Sequence, residues 1–113
     1  MSKDCLFCRI ASGELPSDKV YEDNVAVVFK DIYPKADVHL LVIPKQHIAS
    51  LQDLKPEHDA IMAHLLRLLP KLAEEQGLET GFRSIINTGP GGGQEIYHIH
   101  IHLMGGDRLP GFA

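Results

Sequence analysis

Near the C-terminal end of the chain, histidine and aliphatic residues alternate without a break: Tyr97-His98-Ile99-His100-Ile101-His102-Leu103-Met104. Period-two alternation marks a half-buried strand, so this stretch predicts Ile99, Ile101 and Leu103 on one face and three imidazoles on the other. At roughly 3.3 Å of rise per residue, neighbouring imidazoles stand about 7 Å apart. A single strand histidine is ordinarily structural. Three in register repel when charged and lose hydration when buried, a cost that points to a chemical task.

Directly before this row lies Thr88-Gly89-Pro90-Gly91-Gly92-Gly93-Gln94-Glu95. Glycine has no side chain to obstruct an anion and tolerates positive φ, so such a loop can turn backbone N–H groups toward a phosphate. It lacks the Lys-Ser/Thr of a nucleoside-triphosphate P-loop, which excludes that motif. A loop of amide donors beside neutral imidazoles suits phosphorus chemistry. An imidazole of ordinary pKa, about 6.5, is largely uncharged at pH 7 and can act as a nucleophile. The middle ring, His100, is best placed to attack. If a backbone carbonyl holds its Nδ1–H, its Nε2 points at phosphorus, with His102 and the N–H groups around Gly93 and Gln94 to neutralise the oxygens.

A chain of 113 residues suits one domain, and 44% hydrophobic with 23% charged residues is ordinary for a globular protein. The net charge of −4 argues against a nucleic-acid partner, so any phosphate must be held by local donors. No apolar run is long enough to span a membrane, and the Met1-Ser2-Lys3-Asp4 start lacks a signal-peptide core, so a cytoplasmic protein with no membrane partner is expected. The two cysteines, Cys5 and Cys8, are too close to staple a fold. In a reducing compartment a C-x-x-C pair points to metal or redox chemistry, although the thioredoxin pattern of strand, pair and helix is missing.

From the N-terminus, Cys5 to Ser12 reads as a short helix stopped by Gly13. Lys19 to Glu22 and Val25 to Lys30 read as strands joined at Asp23-Asn24. Val38 to Ile43 is an apolar strand with one odd residue, His39, ended by Pro44. A long helix runs from about Pro56 to Gln76, its apolar residues covering an arc of roughly 160°. That arc is wider than one packing face needs, which suggests a second subunit. Pro70 inside it should kink the axis. His58 and His64 on this helix read as surface or interface residues, and Lys45 as solvated. Phe82 to Asn87 predicts a third long strand. The fold expected is a single α+β domain over 1–113, a mostly antiparallel sheet of about five strands with one long and one short helix.

The pattern His98-x-His100-x-His102, with Asn87, Gly92-Gly93-Gln94, and the strand His39-Leu40-Leu41-Val42-Ile43-Pro44-Lys45-x-His47, resembles the histidine triad (HIT) family of nucleotide hydrolases and transferases. The likeness runs from Phe7-x-x-Ile10 to Gly105-Gly106, and the last pair resembles the Hint branch. The resemblance implies a homodimeric purine nucleoside phosphoramidase acting on AMP joined to an amine such as lysine. It makes His100 the nucleophile, His39 and His102 its polar supports, and Asn87, Gly93, Gln94 and Glu95 the phosphate and leaving-group contacts. Asp31 and Ile32, with Phe7, Ile10 and Leu15, match the ribose and base pocket. A carboxylate at Asp31 can accept from both ribose hydroxyls. Glu95 departs from the serine of animal members, and the tail offers Phe112 where many Hint proteins carry tryptophan.

Some bacterial HIT proteins and the related galactose-1-phosphate uridylyltransferases resemble this chain in an N-terminal C-x-x-C that binds zinc with two histidines. The matching positions are Cys5, Cys8, His47 and His98, a closed structural set with no part in catalysis. His98 would then serve twice, its ring on zinc and its carbonyl orienting His100. Three other readings stand beside this one: a diadenosine polyphosphate hydrolase of the same family, a metal-dependent hydrolase built on the histidine row, and a nucleotide-binding regulatory protein without turnover. The absence of a carboxylate from the histidine motif weighs against the metallohydrolase.

Overall fold

The computed structural model describes residues 5–111; Phe112 and the Met1–Asp4 start lie outside them. Two helices and five strands occur in the order α1 (Leu6–Ala11), β1 (Lys19–Glu22), β2 (Ala26–Lys30), β3 (Val38–Pro44), α2 (Asp59–Glu75), β4 (Arg83–Ile85) and β5 (Ile101–Gly105). The strands form one antiparallel sheet in the order β1-β2-β3-β5-β4, so the α+β expectation holds. Among the described residues, no helix is long and apolar enough to cross a membrane.

The apolar run in β2 is buried on both faces because the sheet is covered on both. Ala26 and Val28 pack with Leu40, Val42, Ile101 and Leu103 against Leu65, Leu68, Leu69 and Leu72 of α2. Val27 and Phe29 pack with Leu41 and Ile43 against Phe7, Ile10 and Ala11 of α1. The long helix therefore closes one core, and the short helix walls the opposite face, where His39 and His102 project.

Helix α2 follows a 3-10 turn at Pro56–His58, where proline occupies the first position and costs no hydrogen bond. Its C-terminus is a Schellman motif. Gly77 has φ 78°, its N–H reaches Glu74 O, and Leu78 N–H reaches Ala73 O while the Leu78 side chain joins the core. Pro70 lies within the helix, and both it and Leu66, whose carbonyl it has no N–H to serve, are exposed residues on the solvent side. His58 is buried rather than superficial, its Nδ1 accepting from Lys55 N–H at 3.0 Å. His64 ties α2 to the β1–β2 turn through Asp23 at 2.6 Å, and Lys45 pairs with Glu22 at 2.9 Å.

Two strands are shorter than the pattern predicts. The stretch 82–87 contributes only Arg83–Ile85, because it is an edge strand with one neighbour and Asn87 turns away into the glycine loop. The histidine stretch enters the sheet only at Ile101: pairing with β3 ends at Val42↔Ile101. Beyond it lies Pro44, which has no N–H to give a ladder. The preceding residues instead bond to the segment that follows β3, with Ile99 N–H on Ile48 O at 2.6 Å and His98 Nε2–H on Pro44 O at 2.7 Å.

Candidate functional site

That departure from the sheet breaks up the row of three histidines. His100 and His102 stay together, ring centres 5.0 Å apart rather than about 7 Å, on the α1 side of the sheet. His98 turns into the protein and is 0% exposed.

His100 and His102 line a cleft of about 900 Å3 between α1, the loop after β2, and the glycine loop. The ring of His100 is oriented by its own chain: Nδ1 lies 2.8 Å from His98 O, so it carries the proton and donates it. That leaves Nε2 with a bare lone pair. Phe7 stands edge-on against the same ring with centres 5.2 Å apart, a contact that restricts its rotation.

His102 is set by a longer chain of contacts. Lys35 N–H donates to His39 Nδ1 at 3.0 Å, which makes that nitrogen the acceptor and puts the His39 proton on Nε2. His39 Nε2 in turn lies 2.9 Å from His102 Nδ1 and 3.4 Å from an Asp31 oxygen. The shorter contact makes His102 Nδ1 the acceptor, so His102 keeps its proton on Nε2, where it can donate. Burial pushes the His102 imidazole down to about 4, with the neighbouring His100 and His39 adding to the effect. His39 is lowered too, mainly by burial, against the opposing pull of Asp31. Two adjacent rings thus offer opposite functions, a lone pair on His100 and an N–H on His102.

Asp31, His39 and His102 bring three donor atoms within 4.8 Å, a spacing that could hold a metal. A metal there would need the His39 Nε2 lone pair, and the Lys35 N–H has already assigned a proton to that atom. The metal-dependent reading loses its best candidate on this ground.

Asn87, Gly93 and Glu95 line the cleft on the side of the glycine loop, and Asp31, Ile32, Phe7, Ile10 and Leu15 line its other walls. Asn87 Nδ2 donates to Gly92 O at 2.8 Å, and Gly93 adopts φ 80°, the left-handed turn for which glycine is suited. Ile32 is 80% exposed at the mouth. Gln94 departs from the expected set. Its side chain is buried behind the loop, accepting from Gly89 N–H and donating to Ala49 O and Ile96 O, and its own N–H reaches Gly89 O. It shapes the loop and does not line the cleft, since an amide with those partners has no donor left over. Sequence reading missed Phe29, Leu41, Tyr33, Lys35, Ile96 and Met104 as lining residues. Phe29 and Leu41 were within reach, because each sits at an even spacing along its strand from a residue on the cleft face.

Behind His100, the four residues Cys5, Cys8, His47 and His98 gather their donor atoms within 4.8 Å. Cys5 Sγ lies 3.3 Å and Cys8 Sγ 3.5 Å from His98 Nδ1, and Cys8 Sγ 3.2 Å from His47 Nδ1. Ligands on a tetrahedral zinc stand about 3.6 Å apart from sulfur to nitrogen, so these edges match to a few tenths of an ångström. Burial pushes His98 down to about 4, and its Nε2–H is engaged by Pro44 O, which leaves Nδ1 aimed at the sulfurs as a metal ligand must be. The donor set fits zinc.

Residues 4–112 match the family model described as scavenger mRNA decapping enzyme, C-terminal binding. The chain is 50% identical over 109 residues to a HIT-like protein of Synechococcus elongatus, covering 96% of each. It is 42% identical to the purine nucleoside phosphoramidase of Escherichia coli over 96% of this chain and 92% of that one. Its backbone superposes on a histidine triad protein from Clostridium difficile with a TM-score of 0.94 at 45% identity, covering 100% and 99% of the two chains. This chain belongs to the histidine triad family. A HIT family hydrolase from Legionella pneumophila is a further structural relative, with TM-score 0.91 and 47% identity over 95% of this chain and 96% of that one. The HIT fold accounts for the five-stranded sheet. Glycines follow the triad at Gly105 and Gly106 because a Cβ there would meet Leu78 and Asp37 respectively.

Proposed function

We propose that this HIT protein is a nucleotide hydrolase of the phosphoramidase type, which opens the P–N bond between a purine nucleotide and an amine, as in adenylyl-lysine, through a nucleotidyl-histidine at His100. The observation that carries the reading is the bare Nε2 of His100, fixed by the Nδ1 bond to His98 O at 2.8 Å. The likeness to the Escherichia coli purine nucleoside phosphoramidase supports the choice of substrate.

In the first step the Nε2 lone pair attacks the α-phosphorus, the P–N bond breaks, and its electron pair leaves with the nitrogen, which takes a proton to become a free amine. Positive charge on the His100 ring is relieved through Nδ1–H on the His98 carbonyl. His102 Nε2–H, the Asn87 amide and the backbone around Gly93 and Glu95 stabilise charge on the non-bridging oxygens. Water then attacks the same phosphorus, the P–N bond to His100 breaks, AMP leaves, and the proton released by water balances the one taken by the amine. Asp31 accepts from the ribose hydroxyls, Ile32 covers the mouth, and Phe7, Ile10 and Leu15 hold the base. Gln94 serves from behind the loop, and His98 acts as a positioning residue through His100.

Cys5, Cys8, His47 and His98 would hold zinc, which supplies a structural tie between α1 and the turn after β3 and takes no part in the reaction. The protein works as a homodimer; Leu66, 52% exposed on α2, is the apolar surplus that supports this. The test of the activity is AMP release from adenosine 5′-phosphoramidate, with His100→Ala as the comparison. We expect release by the parent chain and none above background in the variant, with the variant still folded by circular dichroism. Equal rates would remove the assignment.

A further inference from the structure

The residue that orients the nucleophile is also part of the four-donor cluster. The His98 ring faces Cys5 and Cys8 at 3.3 and 3.5 Å through Nδ1, and the carbonyl of the same residue holds His100 Nδ1–H at 2.8 Å. Whatever moves the ring strains the peptide that aims His100. A second connection runs through Phe7, which lies between the two cysteines in sequence and stands edge-on to both rings, 6.0 Å from His98 and 5.2 Å from His100. Repositioning the first turn of α1 therefore shifts the side chain that walls both the nucleophile and the cleft.

The two thiols differ in access. Cys5 is half-exposed and Cys8 is buried, with Cys8 N–H donating to Cys5 Sγ at 3.3 Å. Their sulfurs lie within 4.8 Å of one another. Side-chain rotation can close that gap to the roughly 2.05 Å of a disulfide. An accessible sulfur beside a buried one is the arrangement in which the first is oxidised and the second resolves it.

We propose that Cys5 and Cys8 are a redox-modification site, whose oxidation to a disulfide releases His98 and so disables the nucleophile that His98 positions. The proposal rests on the reading of His100 as nucleophile and of the four donors as a zinc site. Hydrogen peroxide is the oxidant. The Cys5 sulfur attacks one peroxide oxygen, the O–O bond breaks, and a sulfenic acid forms as hydroxide leaves. The Cys8 sulfur then displaces the hydroxyl group as a second hydroxide and one S–S bond forms; because both sulfurs start as zinc-bound thiolates, the two hydroxides take their protons from solvent to become two waters. With both sulfurs bonded to each other, two of the four zinc ligands are gone and the metal dissociates. Disulfide reduction followed by zinc restores the site.

The full chain loaded with zinc is titrated with hydrogen peroxide. Zinc release is followed with a chromogenic chelator, disulfide formation by the loss of two hydrogens in mass, and the His100 Nδ1–H by its imidazole 15N signal. Steady-state hydrolysis of adenosine 5′-phosphoramidate is measured in parallel. We expect zinc release and disulfide formation to rise together, the His100 signal to move with them, and kcat to fall about tenfold or more, given what small misplacements of a reacting group cost. Dithiothreitol and zinc should reverse all of these. The variant Cys5→His keeps four donors but cannot form the disulfide, and peroxide should leave its zinc and its own starting rate unchanged. A disulfide that forms with zinc retained or with the His100 signal unmoved overturns the proposal, as does equal peroxide sensitivity of Cys5→His. If the reduced protein does not hydrolyse the phosphoramidate, the functional reading fails by itself, and zinc release with the His100 signal still decides the coupling.

Discussion

The proton on His39 decides the proton on His102. Because Lys35 N–H occupies His39 Nδ1, the only mobile proton of that ring sits between His39 and His102, and His102 must face the cleft as a donor. Replacing His39 by Ala removes this constraint without touching the cleft donors themselves. We expect kcat to fall by up to about a hundredfold with KM nearly unchanged, measured by steady-state kinetics. The same burial predicts a pH dependence of stability. An unfolded histidine takes up its proton near pH 6.5, whereas folded His102 resists until about 4. Above that window neither state is charged and His102 contributes nothing. As pH falls through it, the unfolded chain binds the proton that the folded chain refuses, so stability is lost. Thermal melts from pH 7.5 down to 5 should show a falling Tm, and His102→Gln should flatten that part of the fall; an equal slope in the two proteins would contradict this. Sequence alone marked His100, His102 and His39. It could not order their protons, because that depends on a backbone N–H four residues from His39 and a strand pairing across the sheet.

At the scale of elements, β2, β3 and α2 were readable because each buries a full face and its apolar pattern has no competing use. β4 and β5 were readable as strands but not in their limits, because one lies at an edge and the other meets Pro44, so chain neighbours decide where they end. The turn after β5 provides a test of packing. A methyl at Gly105 would come within 2.5 Å of Leu78 Cδ1, the end of a flexible side chain, whereas one at Gly106 would meet Asp37 Cβ at 2.5 Å in a residue with φ 108°. Asp37 is itself held by Asp107 N–H at 2.9 Å and Arg108 at 2.7 Å and has little room to move. Gly106→Ala should therefore cost about 1–3 kcal/mol, and Gly105→Ala less, in urea denaturation. The opposite order would show that the Leu78 contact, not the backbone, limits this turn.

At the scale of the whole molecule, the sheet separates two functions. Its α2 face carries the larger core, and its α1 face carries the cleft and the four-donor cluster. A subunit contact through α2 would thus leave the cleft open. Light scattering should report twice the monomer mass, and Leu66→Glu should shift the population toward monomer, because a charge at an apolar contact loses its hydration. A monomeric parent chain would sink the dimer.

The residues by themselves determined the class of fold, the histidines and the glycine loop, because periodicity and side-chain chemistry are local properties; the family came from the likeness of those motifs to a known one. Only the tertiary structure decided that His98 leaves the row, that Gln94 works from behind the loop, and that His100 and His102 carry their protons on opposite nitrogens. Each of those outcomes is a contest for one hydrogen-bond partner. The winner is a carbonyl or amide brought in from elsewhere in the chain: His98 O by the bend before β5, Pro44 O by the end of β3, Lys35 N–H by the loop after β2.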